Sequence, residues 1–387
     1  MRVGTQPFVS APGRAALLAR ILALLLAAAG CGVGSNTTAG HSPSARASAS
    51  PSPATSASAE ASPSAPPQPV TVPYGVLVGS PSASSYSISL VAIDGKVAAT
   101  AEASTPPLVS CAGAAGAPVP EPVSTSNSRA YYMDAQGVLR FLAPNGDSGR
   151  ATTVPAGTST RRSMFAVSPD DQRIAVIVND YSASGASTRL YVEDLNGGGN
   201  HRDVFSETGA STLWPVGWHG ANNLVVAKVP SCTQGGGPFC CGPQELHVVD
   251  PDTAARRFTL GGTTCRVAGA ASTAGVACID PNSFTKANVV DWTAITRRTV
   301  TFVNPGPQLA YLSPNGNRVA LVSNTGTLIA ETSTTIAAMF ACAWIDDTHL
   351  LSGGDSQHQP RVADVLTGGI LPVAAQGDCG GRLPGGL

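Results

Sequence analysis

From Tyr74 onward the chain is built of short runs in which apolar and polar positions alternate. Leu90–Gly95, Leu190–Gly197, Leu246–Asp252 and Val362–Gly368 each follow this pattern and each closes in Asn, Asp, Gly or Pro. Alternation with a period of two sends successive side chains to opposite faces of an extended backbone. These runs therefore predict strands closed by tight turns. After residue 70 no segment carries apolar residues at helical spacing, so no helix is predicted there.

The strands recur in register. Ala166–Ile174, Val216–Leu224, Tyr311–Val319 and Cys342–Leu350 stack onto one another as an apolar strand end, a Ser or Trp, a polar turn and a second apolar run. The markers stand at Ser168, Trp218, Ser313 and Trp344. With one further unit between 218 and 313, the span from 168 to 344 divides into steps averaging 44 residues. Weaker copies begin near Ser124 and Ala270. Four short strands in a unit of this length describe one blade of an all-β propeller. A second marker, the strand-turn-strand near residues 94, 146, 196, 252, 294, 332 and 366, gives seven four-stranded blades, with six or eight as alternatives. The first unit lacks an innermost strand ahead of Tyr74–Val78. The segment after Gly377 is expected to supply it and close the ring, since closure removes open sheet edges.

Two segments carry a family resemblance. Phe165–Val176 followed by Leu190–Leu195, and Leu312–Leu321, resemble the WD40-like (PD40) repeat of TolB-type β-propellers: a Ser-Pro-Asp-Gly turn, an apolar strand, then a strand ending in Asp. The resemblance implies the propeller fold and does not specify a ligand.

The N-terminal segment is of another kind. Arg14 and Arg20 precede nine apolar residues, Ile21–Ala29, and the small residues up to Gly30 lead into Cys31. A basic start, a short apolar core and a small-residue break describe a secretory signal over residues 1–30. Nine residues span about 13 Å as a helix, well short of a ~30 Å bilayer core. Cys31 after those small residues resembles the lipobox of bacterial lipoproteins. Ala28 departs from that pattern, which more often has Leu there, and the alternative is an ordinary cleaved signal. The resemblance implies that Cys31 becomes the acylated N-terminus, carrying a thioether-linked diacylglycerol and acyl chains such as palmitate. Two chains suffice for stable anchoring where one does not. Residues 31–69 then form a tether: from Ser42 to Pro67, 23 of 26 residues are Ser, Ala or Pro. Such a stretch has no apolar surface to bury, and as a coil its r.m.s. reach is about 35 Å. The expected organisation is a signal (1–30), a lipidated Cys31 with its tether (31–69) and a propeller (70–387), held at the extracytoplasmic face of the cell membrane.

Export bears on the cysteines. Of nine, eight remain beyond Cys31, an even number in an oxidising compartment, which favours disulfides. A two-residue turn at Ala271–Ser272 would place Cys265 opposite Cys278 and Val267 opposite Val276. Cys342 and Cys379 bracket the last blade and suit a covalent lock on the ring. Cys111, Cys232, Cys240 and Cys241 remain unassigned. Zinc at Cys232, Cys240, Cys241 and His247 is the alternative, against which stand the irregular spacing and the adjacency of Cys240 and Cys241.

Charge and chemistry narrow the function classes. With charged residues at 12% and a net charge of −1, nothing indicates nucleic acid. Gly209–Leu213 lacks the second glycine of a nucleophile elbow. Asp170–Asp171 and Asp346–Asp347 occupy one repeat turn, as do His219 and His349, so repeat geometry accounts for them and the histidines are expected to be exposed. Trp218 and Trp344 share another repeat position and are expected to pack between sheets, whereas Trp214 and Trp292 lie outside it. No cofactor, metal or catalytic residue is assigned. The expected function is non-catalytic binding or scaffolding of a protein, peptide or cell-envelope ligand on one face of the ring. The alternative is a hydrolase or lyase acting on envelope polymers, for which two carboxylates with His or Arg should meet at one mouth of the channel.

Overall fold

A computed structural model describes residues 67–80, 82–110, 117, 119–183, 185–231, 245–283, 285–302, 309–355 and 358–387. All of these lie within one unit, Ser64–Leu387. The signal segment, Cys31, most of the tether, and Cys111, Cys232, Cys240 and Cys241 fall outside the described residues.

Strands form as the alternation predicts, and they assemble into seven antiparallel sheets of four. Blade 1 pairs β1 (Tyr74–Gly79), β2 (Ser85–Ala92) and β3 (Val97–Ser104) with the last strand of the chain. Blade 2 is β4 (Val123–Thr125), β5 (Ala130–Met133), β6 (Val138–Leu142) and β7 (Ser148–Thr153). Blade 3 is β8 (Arg161–Val167), β9 (Arg173–Ser182), β10 (Gly185–Asp194) and β11 (Arg202–Gly209). Blade 4 is β12 (Ser211–His219), β13 (Asn223–Pro230), β14 (Glu245–Val249) and β15 (Arg256–Gly261). Blade 5 is β16 (Arg266–Val267), β17 (Val276–Ile279), β18 (Lys286–Val290) and β19 (Thr296–Thr301). Blade 6 is β20 (Leu309–Leu312), β21 (Val319–Ser323), β22 (Gly326–Ile329) and β23 (Thr334–Ala337). Blade 7 is β24 (Ala341–Trp344), β25 (His349–Ser352), β26 (Arg361–Asp364) and β27 (Ile370–Pro372). The last strand, β28 (Asp378–Leu383), pairs antiparallel with β1 and becomes the inner strand of blade 1. Blade 1 is thereby made of both ends of the domain. The fold is a seven-bladed β-propeller.

Inner strands β28, β4, β8 and β12 touch in sequence, as do β20, β24 and β28, and blade 5 meets blade 6 through β17 and β20. The seven downstream markers all fall on turns between third and fourth strands. Ser168, Trp218, Ser313 and Trp344 end inner strands or begin the turns that follow them. Antiparallel order puts both kinds of turn on one side of the ring, here the turn face. The connections between second and third strands and between blades lie on the opposite side, the loop face.

Repeat positions seal one blade to the next. Trp218 and Trp344 are buried, and each indole Nε1 donates to an inner-strand carbonyl of the preceding blade, at 2.9 Å to Ala166 and 3.0 Å to Tyr311. Trp214 and Trp292 are buried too, so neither is a surface platform. Asp171, in left-handed backbone (φ 60°), accepts from Ser128 Oγ and Tyr131 Oη of blade 2, both at 2.7 Å.

Cys342 and Cys379 are joined, linking the inner strands of blades 7 and 1 across the closure. Cys265 and Cys278 are joined as well, but not in the expected register. Val267 stands opposite Cys278, and the hairpin tip lies at Thr273–Ala274 between Ser272 and Gly275. Gly275 decides this. Its φ of 130° favours glycine, and a Cβ there would come within 2.0 Å of the Val290 carbonyl oxygen. Cys265 therefore reaches Cys278 from a turn preceding β16, with a Cα–Cα distance of 5.1 Å.

Candidate functional site: the loop-face mouth

The two ends of the propeller axis differ. At the turn face, Arg382 of blade 1 donates to Thr273 Oγ1 of blade 5 at 2.9 Å. Those blades are not neighbours, so the contact crosses the axis. Beyond β28 the chain continues over the same end: Gly385 N–H donates to the Ser126 carbonyl of blade 2 and Leu387 N–H to the Trp218 carbonyl of blade 4. His219 Nδ1 donates to the Leu387 oxygen at 2.6 Å, and its ring stacks on Trp292. The chain itself thus fills this end. Burial lowers the pKa of the Arg382 guanidinium, while Asp347 and Asp346 oppose that shift.

His219 and His349 are therefore not the exposed turn residues expected from their positions. Both are partly buried, and the His349 ring bonds Asp346. The Asp pairs do serve their turns: Asp170 accepts from Ser168 Oγ, and Asp346 from the Thr348 and His349 amides. Hydrogen bonding to those groups, against the cost of burial, holds Asp346 below the ordinary carboxylate range. His247, the described member of the zinc alternative, pairs instead with Glu245 at 3.1 Å.

At the loop face, a cavity of about 420 Å³ opens where blades 6 and 7 meet the closing strand. Leu309, Tyr311 and Phe340 form an apolar wall. Asp355 and His358 come from the loop after β25, and Asp378 heads β28. His358 Nδ1 lies 3.1 Å from Asp355 Oδ1, which also accepts the His358 amide at 2.8 Å. Asp378 is held close over Gly353: a Cβ there would stand 2.8 Å from Asp378 Oδ1. Cys342 lines the same cavity, so the disulfide that closes the ring also fixes the backbone next to Asp378. Tyr311 is pushed up to about 12, by burial first and then by the Asp378 charge.

Asp378 also acts on the neighbouring blade. Burial raises the pKa of Glu121, ahead of β4, with Asp378 adding to the rise and Arg162 opposing it. Glu121 is solvent-accessible yet surrounded by protein, as expected for a group lining a narrow wet channel. Arg162 is only 5% exposed and its Nε has no hydrogen-bond partner among the described residues. Burial lowers its pKa, against the pull of Tyr86, Glu121 and Tyr181. Between Glu121, Arg162 and Pro215 lies a second cavity of about 30 Å³.

Asp378, Glu121, Arg162, Asp355 and His358 do not follow from the repeat, because they stand near strand heads and in loops, where the motif has no fixed residue; Tyr311 opens a repeat copy, where the motif asks only for an apolar strand end. The adjacency of Asp378 to Cys379 is the available clue, because the sequence puts Cys379 at the closure.

No protein-family model and no curated protein matches this chain. Among solved structures, 361 chains match. One is an oligogalacturonate lyase in complex with manganese, at 11% identity over 74% of this chain and 82% of that one, with a TM-score of 0.46. Another is a chain of the mitotic checkpoint complex, at 14% identity over 69% and 77%, with a TM-score of 0.40. Similarity at this level conveys nothing about a site, and the propeller class rests on the strand order of the chain itself.

Proposed function

We propose that the chain is a lipid-anchored extracytoplasmic protein whose propeller acts as a non-catalytic binding module, holding its ligand at the loop-face mouth. The observation that supports this reading is the asymmetry of the axis, filled by the chain at the turn face and hollowed into a cavity of about 420 Å³ at the loop face. That volume lies within the range of ligand pockets, roughly 300–1,000 Å³. Cys31 supplies the anchor in this reading and the Ser/Ala/Pro tether the reach.

A hydrolase or lyase acting on envelope polymers is the second reading. It draws on Glu121, Asp378 and Arg162, two carboxylates and a guanidinium that sense one another at the same mouth, with Glu121 shifted toward the protonated form. Against it, the cavity at Glu121 and Arg162, about 30 Å³, has room for a water and not for a sugar ring.

The test uses the full-length chain in membranes. Radiolabelled palmitate should enter wild type and not Cys31→Ser. Envelope material retained by wild type should be lost with Phe340→Ala and kept with Glu121→Gln. Turnover of an envelope polymer that disappears in Glu121→Gln would reverse the ranking in favour of the enzyme.

A further inference from the structure

The composition of the loop-face cavity restricts what it can hold. Among the described residues its carboxylates are Asp355 and Asp378, its only ionisable base is His358, and no Lys or Arg lines it. His358 is already engaged by Asp355. Asp378 accepts no hydrogen bond and joins no ion pair among the described residues, although its charge is felt by Tyr311 on one side and Glu121 on the other. An exposed carboxylate without a counter-charge, at the end of a partly apolar cavity, is complementary to a cation.

The walls specify what kind. Phe340 is 50% exposed, against 5% for Phe165, and it faces the cavity with Leu309 and Tyr311. Aromatic faces attract a cation, and alkyl stems pack against such walls while the charged head reaches a polar end. A bare calcium ion fits poorly, since it takes 6–8 oxygen ligands and one of the two carboxylates here is committed to His358.

We propose that this cavity binds an organic cation, a primary ammonium or guanidinium on an alkyl stem, with Asp378 as counter-ion and Tyr311 and Phe340 as walls. The proposal rests on the binding reading above and names the ligand class of the same site.

Calorimetric titration of the full-length chain tests it, with n-butylammonium, n-butanol and butyrate as four-carbon probes. Saturable binding is expected for the ammonium alone. Asp378→Asn should weaken it at least tenfold and Asp378→Glu should restore part of it. Phe340→Ala, at an exposed position that the fold tolerates, should weaken it several-fold with an unchanged melting temperature. A lysine blocked at both backbone ends separates two sources of the cation: binding at least as tight as n-butylammonium points to a basic side chain of a peptide, and exclusion to a free amine. Both outcomes support the cation site. Absence of saturable ammonium binding, equal binding of butyrate, or unchanged affinity in Asp378→Asn would overturn it. Retention of envelope material through Phe340 together with no ammonium binding would reject the cation and leave the binding reading standing.

Discussion

Replacing both Cys342 and Cys379 by Ser isolates the covalent part of ring closure. The two residues are 37 apart in sequence, so the bridge encloses all of blade 7. In the chain-entropy model a loop of that length constrains the unfolded chain by about 4 kcal/mol at 25 °C. The Cys265–Cys278 bridge spans only 13 residues within one blade, and the same relation gives about 3 kcal/mol. A domain of this size loses about 1.5 °C of Tm per kcal/mol, so the closure variant should melt roughly 6 °C below wild type. Thermal denaturation by circular dichroism reads the shift, and limited proteolysis locates it. The double-Ser variant should be cut first around β28, since five residue pairs with β1 then hold that strand without a covalent link. Because β28 also carries Asp378, n-butylammonium binding should weaken in the same variant. Equal melting temperatures for the closure variant and wild type, both measured without reductant, would refute the lock, as would cleavage that begins elsewhere.

Three further outcomes follow from the packing. Asp171→Ala leaves the buried hydroxyls of Ser128 and Tyr131 without an acceptor and puts a Cβ-bearing residue with no compensating side-chain bond at φ 60°. It should cost about 3–5 kcal/mol in denaturant unfolding, against a smaller loss for Asp171→Asn. Gly377→Ala tests the closing strand through its backbone, since φ there is 124° and a Cβ would meet the Val78 carbonyl oxygen at 2.2 Å; a loss of at least about 2 kcal/mol is expected, and an unchanged unfolding midpoint would contradict the closure geometry. Burial raises the hydroxyl pKa of Tyr86, Tyr131, Tyr132, Tyr181, Tyr191 and Tyr311, the last to about 12. Folded-state values above the unfolded value of about 10 mean that this stabilisation is complete below pH 10 and drains away as pH rises toward 12. Tyrosinate absorbance at about pH 11 should therefore be much lower in the native chain than in denaturant, and near-equal absorbance would contradict the burial.

Much of the propeller is legible without coordinates because its signals are local. Alternation sets strand faces, and Asp, Asn and Gly mark most of the turns. The missing inner strand ahead of Tyr74 called for a closing partner, which β28 provides. Trp218 and Trp344 were readable as inter-sheet packing because their repeat position recurs between two apolar runs. Both described disulfides were readable too, one from a hairpin and one from the closure. The hairpin register was not: Ala271–Ser272 looks like an adequate two-residue turn, and the choice of Thr273–Ala274 depends on the approach of Gly275 to Val290 on the neighbouring strand.

The mouth residues were illegible for a related reason. Asp378, Tyr311, Phe340 and His358 come from blades 6, 7 and 1, and they meet only because the ring closes. A periodic sequence determines what each blade repeats, since strand pairing and turn chemistry act over a few residues. What differs between blades, and which differences share a cavity, was decided by the tertiary structure. Side chains far apart in sequence interact there through distance and charge, and local sequence encodes neither.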